Sequence, residues 1–332
     1  MELKLSAPIH VHWEFTRDCN LNCLHCYQQD DLVISELSEH EVLSIAKELI
    51  NSKIFQVTLT GGEPFSKPYL EKVVREFNKN NIIPHITTNG TLLKKGTFDW
   101  IRQIDATFQI SVDSHNEHVH NHIRRNEFAF QLALKGIEWL KENDKYVSIA
   151  FCANKTNYQD IEGVIKLAIE HNVNSVVIGE VLPFFGNNTN KNELQFSKSE
   201  YNDFINLCLR LKDKYQKERQ IFINTEWGFL FFEQIEHAPC SALDRDLAIL
   251  YDGSVSPCPF IRSQQYYVGN ITSQSLNDIW LSEKAEFFRN QKHLGCDNNC
   301  RFFEKCLSGC KAELANLGLP LNNKDRRCYI IK

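Results

Sequence analysis

Three cysteines stand in one short stretch, Cys19-Asn20-Leu21-Asn22-Cys23-Leu24-His25-Cys26-Tyr27, with three and then two residues between them. Three thiolates in so tight a loop can hold one metal cluster, and a four-iron cluster held this way keeps one iron without a protein ligand. Against a background of 12 cysteines in 332 residues, the spacing arises by chance in roughly one such chain in a hundred. The alternating run Ile9 to Phe15 (IHVHWEF) precedes it and reads as a strand that delivers the chain to the loop. A structural zinc or redox loop is the bland reading of the same thiols, and the remaining sequence has to decide.

Length implies one large domain and a smaller one. Net charge is −5, so no polybasic field draws nucleic acid or anionic lipid. The N-terminus lacks a basic segment, apolar core and cleavage site of the secretory kind, and no apolar run approaches a membrane span. These readings place the chain in the cytoplasm with neither membrane nor nucleic acid as partner. In that compartment thiols stay reduced, so the cysteines read as metal ligands rather than a disulfide framework.

Downstream of the loop, strands and helices alternate. Helical spacing runs over Glu39 to Asn51, Tyr69 to Asn80, Asp99 to Ile104, Phe128 to Asn143 and Tyr158 to Asn172. Extended runs cover Phe55 to Thr60, Ile82 to Thr88, Thr107 to Val112, Tyr146 to Cys152 and Ser175 to Val181. Regular βα alternation predicts parallel strands with right-handed crossovers. Each unusual polar or glycine cluster falls where a strand ends, the edge at which parallel α/β folds bind ligands. A zinc loop does not predict that convergence. The polar stretch from Phe185 to Asn192 reads as a linker. Ser197 with Glu200 makes a capping box for a helix from Lys198 to about Lys217, and Ile221 to Ile235 reads as an aromatic segment beneath a second domain.

The cysteine loop, with Tyr27 behind it and Gly61-Gly62-Glu63-Pro64 after the second strand, resembles the signature of the radical SAM enzymes. The resemblance implies an α/β fold, a partial (β/α)6 barrel over residues 8–184. It also implies that the open iron of a 4Fe-4S cluster on Cys19, Cys23 and Cys26 is chelated by S-adenosyl-L-methionine. One electron then cleaves the sulfonium to a 5′-deoxyadenosyl radical that abstracts hydrogen. Carried over residue by residue, Gly61, Gly62, Glu63 and Pro64 receive the methionyl ammonium, the glycines letting backbone approach the ligand. Ser111 and Asp113 are the ribose and methionine contacts, and Asn89 is a ligand or a plain turn residue. Arg124, with Arg125 as alternative, pairs with the methionyl carboxylate. Asn154 lies on the carboxylate side, and Leu182 lies against the adenine. The run His118, His120, His122 reads as solvated loop, and Cys152 and Cys208 as inert core thiols.

Seven further cysteines follow: Cys240, Cys258, Cys296, Cys300, Cys306, Cys310 and Cys328. Cys258 closes a hairpin, Asp246 to Cys258, whose Asp252-Gly253 pair suits a type I′ turn. The run Ser275 to Trp280 opens a helix. This array resembles the SPASM domain and its two auxiliary 4Fe-4S clusters, placed at residues 239–332 behind a linker and bridging helix at 185–238. By the family's interlaced ligation, Cys296, Cys300, Cys306 and Cys328 hold the distal cluster, and Cys240, Cys258 and Cys310 the proximal one. The wider Cys296–Cys300 spacing is a departure. The fourth proximal ligand is a group within Glu233 to His237, or is missing and leaves an iron open. A pair of zinc sites fits the spacing as well.

The resemblance implies a peptide or protein substrate, as in maturation of ribosomal peptides, and an electron donor such as flavodoxin or ferredoxin. With only 18 residues before Cys19, recognition of a leader falls to a separate protein or to the second domain. Rearrangement or oxidation of a sugar or tetrapyrrole is the alternative within enzymes, and a non-catalytic metal-binding scaffold the alternative outside them. No catalytic acid or base stands out.

Overall fold

A computed structural model describes residues 5–28, 35–182, 191–217, 221–225, 240–292 and 309–325. Its spine is β1 (His10–Thr16), β2 (Gln56–Gly61), β3 (His85–Thr88), β4 (Thr107–Ser111), β5 (Tyr146–Ala153) and β6 (Ser175–Glu180), each parallel to the next. The connecting helices are α1 (Glu39–Asn51), α2 (Leu70–Lys79), α3 (Glu117–Arg124), α4 (Ala129–Glu142) and α5 (Ile161–Glu170). Ser38 caps α1 in a full capping box with Glu41. The short helix expected after the third strand is a 3-10 turn, Asp99–Gln103.

Alternation along the strands sorts the side chains. Val11, Trp13, Phe15, Val57, Leu59, Ile86, Phe108, Ile110, Ile149 and Val176 are buried in one apolar cluster with Val42, Ile45, Leu49, Val73 and Phe77 of the helices. Residues of opposite parity are mostly polar: His10, His12 and Glu14 on β1, Thr58 and Thr60 on β2, His85 and Thr87 on β3, Gln109 and Ser111 on β4. The inner face of the curved sheet is therefore a polar lining, and the hydrophobic core lies outside it beneath the helices.

The sheet extends beyond the six expected strands. After α6 (Lys191–Leu194) and α7 (Lys198–Lys217), whose N-terminus Ser197 and Glu200 cap, comes β7 (Phe222–Thr225), which pairs parallel to β6. The start of the aromatic segment expected from Ile221 to Ile235 is thus a further strand of the sheet, and the rest of that segment, from residue 226, lies outside the described residues. At the other edge β8 (Asp246–Ile249) pairs parallel to β1, and β9 (Ser254–Ser256) and β10 (Gly269–Asn270) follow antiparallel. Among the described residues the result is one ten-stranded sheet, open between β10 and β7. The β8–β9 connection is not type I′, because Gly253 takes φ +82° while Asp252 does not enter the left-handed region. The Gly253 amide instead donates to the Leu250 carbonyl at 2.9 Å, as in a type I turn closed by a left-handed glycine. α8 (Leu276–Trp280), capped by Ser275, α9 (Glu283–Lys292) and α10 (Lys311–Asn316) complete the described chain. No described helix is long and apolar enough to cross a membrane.

Candidate functional site: a thiol-lined cavity at the strand ends

The cysteine loop follows β1 at the C-terminal edge of the sheet and is tied down from three sides. The Leu24 amide donates to the Ile123 carbonyl of α3 at 2.8 Å, and the Glu63 amide to the Asp18 carbonyl at 2.7 Å. The Asn89 side-chain amide donates to Asn20 Oδ1 at 2.9 Å and approaches Cys19 Sγ at 3.8 Å. The two glycines serve this loop directly. A Cβ on Gly61 would sit 2.3 Å from the Thr16 carbonyl oxygen, and one on Gly62 would sit 2.1 Å from that of Asp18. Their first duty is to let the β1 chain pass over β2, rather than only to admit a ligand.

A cavity of about 390 Å³ opens beside the loop, within the range of small-molecule sites. Cys19, Cys23, Cys26, Tyr27, Gly61, Gly62, Asn89, Ser111, Arg124 and Leu182 all line it. Glu63, Pro64, Asp113 and Asn154 do not. Glu63 is fully buried, accepting from the Thr88 hydroxyl at 2.7 Å and the Asn89 amide at 2.8 Å, so it shapes the wall that carries Asn89. Burial pushes its carboxyl up to about 7, against the opposing pull of the Asn89, Thr88 and Phe65 donors. Pro64 begins a 3-10 turn, and the Asn154 side chain closes its own turn by accepting from Thr156.

Asp113 sits behind the wall as an organiser. Its Oδ2 lies 2.6 Å from Arg124 Nε, a charge contact rather than an aligned hydrogen bond, and 3.0 Å from His25 Nε2. Burial alone would raise the carboxyl, but Arg124 and then His25 outweigh it and hold Asp113 far below the usual carboxylate range. The guanidinium so placed reaches Cys23 Sγ at 3.7 Å through a terminal nitrogen. Arg125, the alternative, turns away in the left-handed conformation that ends α3. The histidine run is helical and not a loop, and His120 is buried, its Nδ1 accepting from the Asp113 amide at 3.1 Å, while His118 and His122 are exposed. Cys208 is a buried core thiol as expected, whereas Cys152 lines the cavity.

Several lining residues carried no sequence signal that we used: Arg17, His25, Gln28, Thr60, Gln109 and Phe260. The inward parity of β2 and β4 would have given Thr60 and Gln109, and His25 lies inside the cysteine motif itself. Phe260 required the tertiary fold. Its ring meets that of Tyr27 edge-on at 6.2 Å, and the Arg262 guanidinium stacks 4.7 Å from the Tyr27 ring. Arg262 also donates to Glu14 Oε2 at 2.9 Å and meets Oε1 with its other terminal nitrogen. Glu14 is fully buried, so this bidentate pair locks the C-terminal segment onto β1 next to the cavity.

The donor set suits an iron–sulfur cluster. Burial pushes the Cys19 thiol up to about 11, with Glu63, Cys23 and Cys26 adding to the rise, and Cys23 and Cys26 are raised by burial too. Three such thiols at one place become thiolates when a cationic centre compensates them. Gln28, also lining the cavity, buries both polar atoms of its side-chain amide without a hydrogen-bond partner, which leaves donor and acceptor for a bound molecule. In the C-terminal part, Cys258 is raised by burial and then by the nearby Cys310 and Cys240, so these three thiols converge. Cys296, Cys300, Cys306 and Cys328, and the Glu233–His237 stretch, lie outside the described residues.

Comparison with known proteins agrees with this geometry. The Radical SAM superfamily profile matches residues 13–177, and an iron-sulfur cluster-binding domain profile, SPASM, matches residues 240–307. An AdoMet-dependent heme synthase of Methanosarcina barkeri is 25% identical, with 92% of each chain covered. The mycofactocin maturase MftC of Mycolicibacterium smegmatis is also 25% identical, over 98% of this chain and 84% of its own. Among solved structures, Streptococcus suis SuiB bound to precursor peptide SuiA superposes with a TM-score of 0.80 at 17% identity, covering 98% of this chain and 77% of that one. The chain belongs to the radical SAM superfamily. It is a radical SAM enzyme with a C-terminal SPASM domain, and its cofactors are S-adenosyl-L-methionine and three 4Fe-4S clusters.

Proposed function

We propose that the enzyme modifies a peptide at the mouth of the cavity, one cluster and S-adenosylmethionine together supplying a 5′-deoxyadenosyl radical for hydrogen abstraction. The observation that carries the reading is the convergence of three thiols, Gly61-Gly62, Asn89, Ser111, Arg124 and Leu182 on one cavity at the strand ends. In this reading Cys19, Cys23 and Cys26 hold the first cluster. Arg124, aimed by Asp113, meets the methionyl carboxylate, Asn89 and Ser111 supply polar contacts, and Leu182 lies against the adenine. Glu63 and Asp113 act from behind the wall, by fixing Asn89 and Arg124. Cys240, Cys258 and Cys310 hold one auxiliary cluster, and Cys296, Cys300, Cys306 and Cys328 the other. We assign the barrel to 8–184, the bridge to 185–238 and the auxiliary domain to 239–332.

A peptide substrate is supported by the maturase named among the relatives and by the precursor peptide bound to the superposable SuiB. A flavodoxin or ferredoxin would deliver the electron, and a separate protein would present a leader. The heme synthase matched over nearly its whole length favours a second reading, a tetrapyrrole substrate. Anaerobically reconstituted enzyme, reduced and given S-adenosylmethionine, should release 5′-deoxyadenosine, and the Cys19→Ala, Cys23→Ala, Cys26→Ala variant should not. Stimulation by precursor peptides encoded beside the gene supports the first reading. Stimulation by an iron porphyrin alone would replace it with the second, and no nucleoside release from either would overturn both.

A further inference from the structure

At the opposite end of the sheet from the cysteine loop, the inner face carries a group of side chains that the chemistry above does not use. His10 and His12 stand two residues apart on β1, which puts both imidazoles on one face of the strand. Asp246 begins β8 and pairs directly with His10 in the parallel register. One donor atom from each of His10, His12 and Asp246 lies within 4.8 Å of the others. The His10 and His12 rings are 4.1 Å apart, centroid to centroid. Next to them, His85 opens β3 opposite Thr58, which in turn pairs with His12.

A hydrogen-bonded polar floor accounts for only part of this group. Thr58 engages His10 Nε2 at 2.8 Å, and Thr107 engages His85 Nδ1 at 2.8 Å, each leaving the second ring nitrogen of its histidine to spare. Ser241 donates to Asp246 Oδ2 at 2.5 Å and leaves Oδ1 to spare. His12 makes no side-chain hydrogen bond among the described residues. Its ring is half-buried and its nitrogens are not among the fully enclosed polar atoms, so an ion can reach them. Burial, with the neighbouring rings, pushes His12 down to about 3 and His85 down to about 4. The neutral ring is the form with a lone pair to give.

We propose that His10, His12 and Asp246 form a divalent metal site on the barrel floor, distinct from the iron–sulfur positions. Two imidazoles and one carboxylate are borderline-to-hard donors that suit zinc, with a fourth position for water or His85. A tetrahedral shell with ligands at roughly 2.0–2.2 Å asks the donors to draw in by about 1 Å, within reach of side-chain rotation. The Thr58 contact through Nε2 leaves Nδ1 of His10 as its ligating atom, the usual arrangement of a partner that orients the ring. Because Asp246 comes from β8, the ion would pin the C-terminal hairpin to the first barrel strand.

The test uses anaerobically reconstituted protein supplied with zinc chloride, dialysed against a mild chelator and then assayed for zinc, iron and sulfide. Zinc K-edge X-ray absorption identifies the coordinating atoms. The site requires about one zinc per chain with a shell of nitrogen and oxygen only. His12→Gln and Asp246→Asn should each lose that zinc while keeping wild-type iron and sulfide. Zinc should raise the wild-type melting midpoint by roughly 5 °C or more and leave the variants unmoved. Should His12→Gln fold poorly, Asp246→Asn at the hairpin answers alone. Zinc that is absent, sulfur-bound, or retained equally by wild type and variants overturns the proposal.

Discussion

Replacing Asp113 by asparagine tests how the cavity wall is held. The carboxylate is fully buried and the Arg124 side chain is 9% exposed, so solvent screens the pair little. Asparagine preserves the shape but leaves the Arg124 charge in the interior without its counter-ion, and its single oxygen can serve either Arg124 and His25 or the Cys152 amide, not both. Breaking one partner of a buried pair costs about 3–5 kcal/mol. In a chain of this length, where 1 kcal/mol moves the midpoint by about 2 °C, the melting temperature should fall by roughly 6–10 °C. Arg124→Met should be costly for the mirror-image reason. The double variant removes both charges and should cost less than the sum of the singles by about 2 kcal/mol or more. Calorimetry or dye-monitored melting of the four anaerobic proteins reads the cycle. A midpoint within about 2 °C of wild type for Asp113→Asn, or strict additivity in the cycle, would refute the organising role given to this carboxylate.

Gly62→Ala places a Cβ 2.1 Å from the Asp18 carbonyl, and neither backbone can yield without moving the cysteine loop. Iron should drop from about 12 to about 8 atoms per chain as one four-iron cluster is lost, and wild-type iron would count against the close-passing account. Glu63 has a folded-state value of about 7 against an ordinary 4.5. The folded protein therefore holds the extra proton between those values, and stability from this group falls as pH rises through that window. The Glu63→Gln protein should lose less stability than wild type between pH 5 and pH 8, and parallel pH profiles would contradict the assignment. Arg262→Met strands the Glu14 carboxylate and should cost about 3–5 kcal/mol, with faster amide hydrogen exchange in β8 and β9; unchanged exchange there would deny the pair its locking role. Cys208→Ala should remove only core packing, at about 1 kcal/mol, with iron content unchanged; any loss of iron would make Cys208 a ligand.

The parts of the fold legible in the sequence are those set by local patterning. β1 to β6 and α1, α2, α4 and α5 lie where period-two and period-3.6 alternation put them, because each buries one face against the same core. α3 instead reads as loop, because its polar histidine run hides the one face that His120, Ile123 and Arg124 bury. The cysteine loop is legible from its spacing, whereas Gly61-Gly62 and Arg124 are singled out by the family resemblance, and the fold then brings them to the same cavity. Less visible were contacts made at long range. Nothing near Phe222 announces a seventh parallel strand, since a four-residue strand carries too little alternation to stand out. The link from Glu14 to Arg262 joins residues 248 apart, and neither neighbourhood is unusual alone. The glycine pair was visible, but not what crowds it, because the Thr16 and Asp18 carbonyls reach it only once β1 and β2 are side by side.

The parallel pairing of β8 on β1 also has a consequence for synthesis on the ribosome. β1 is made before every other described strand, yet its neighbour β8 comes 236 residues after it (Asp246 opposite His10) and the partner of its buried Glu14 comes 248 residues after that carboxylate. At about 5–20 residues per second, the edge of β1 and an unpaired interior carboxylate wait some 12–50 seconds for completion. During that interval the nascent barrel presents an open strand edge to other chains. The protein should accordingly be more prone to aggregate when translation is halted before Asp246 than when it is halted after Arg262.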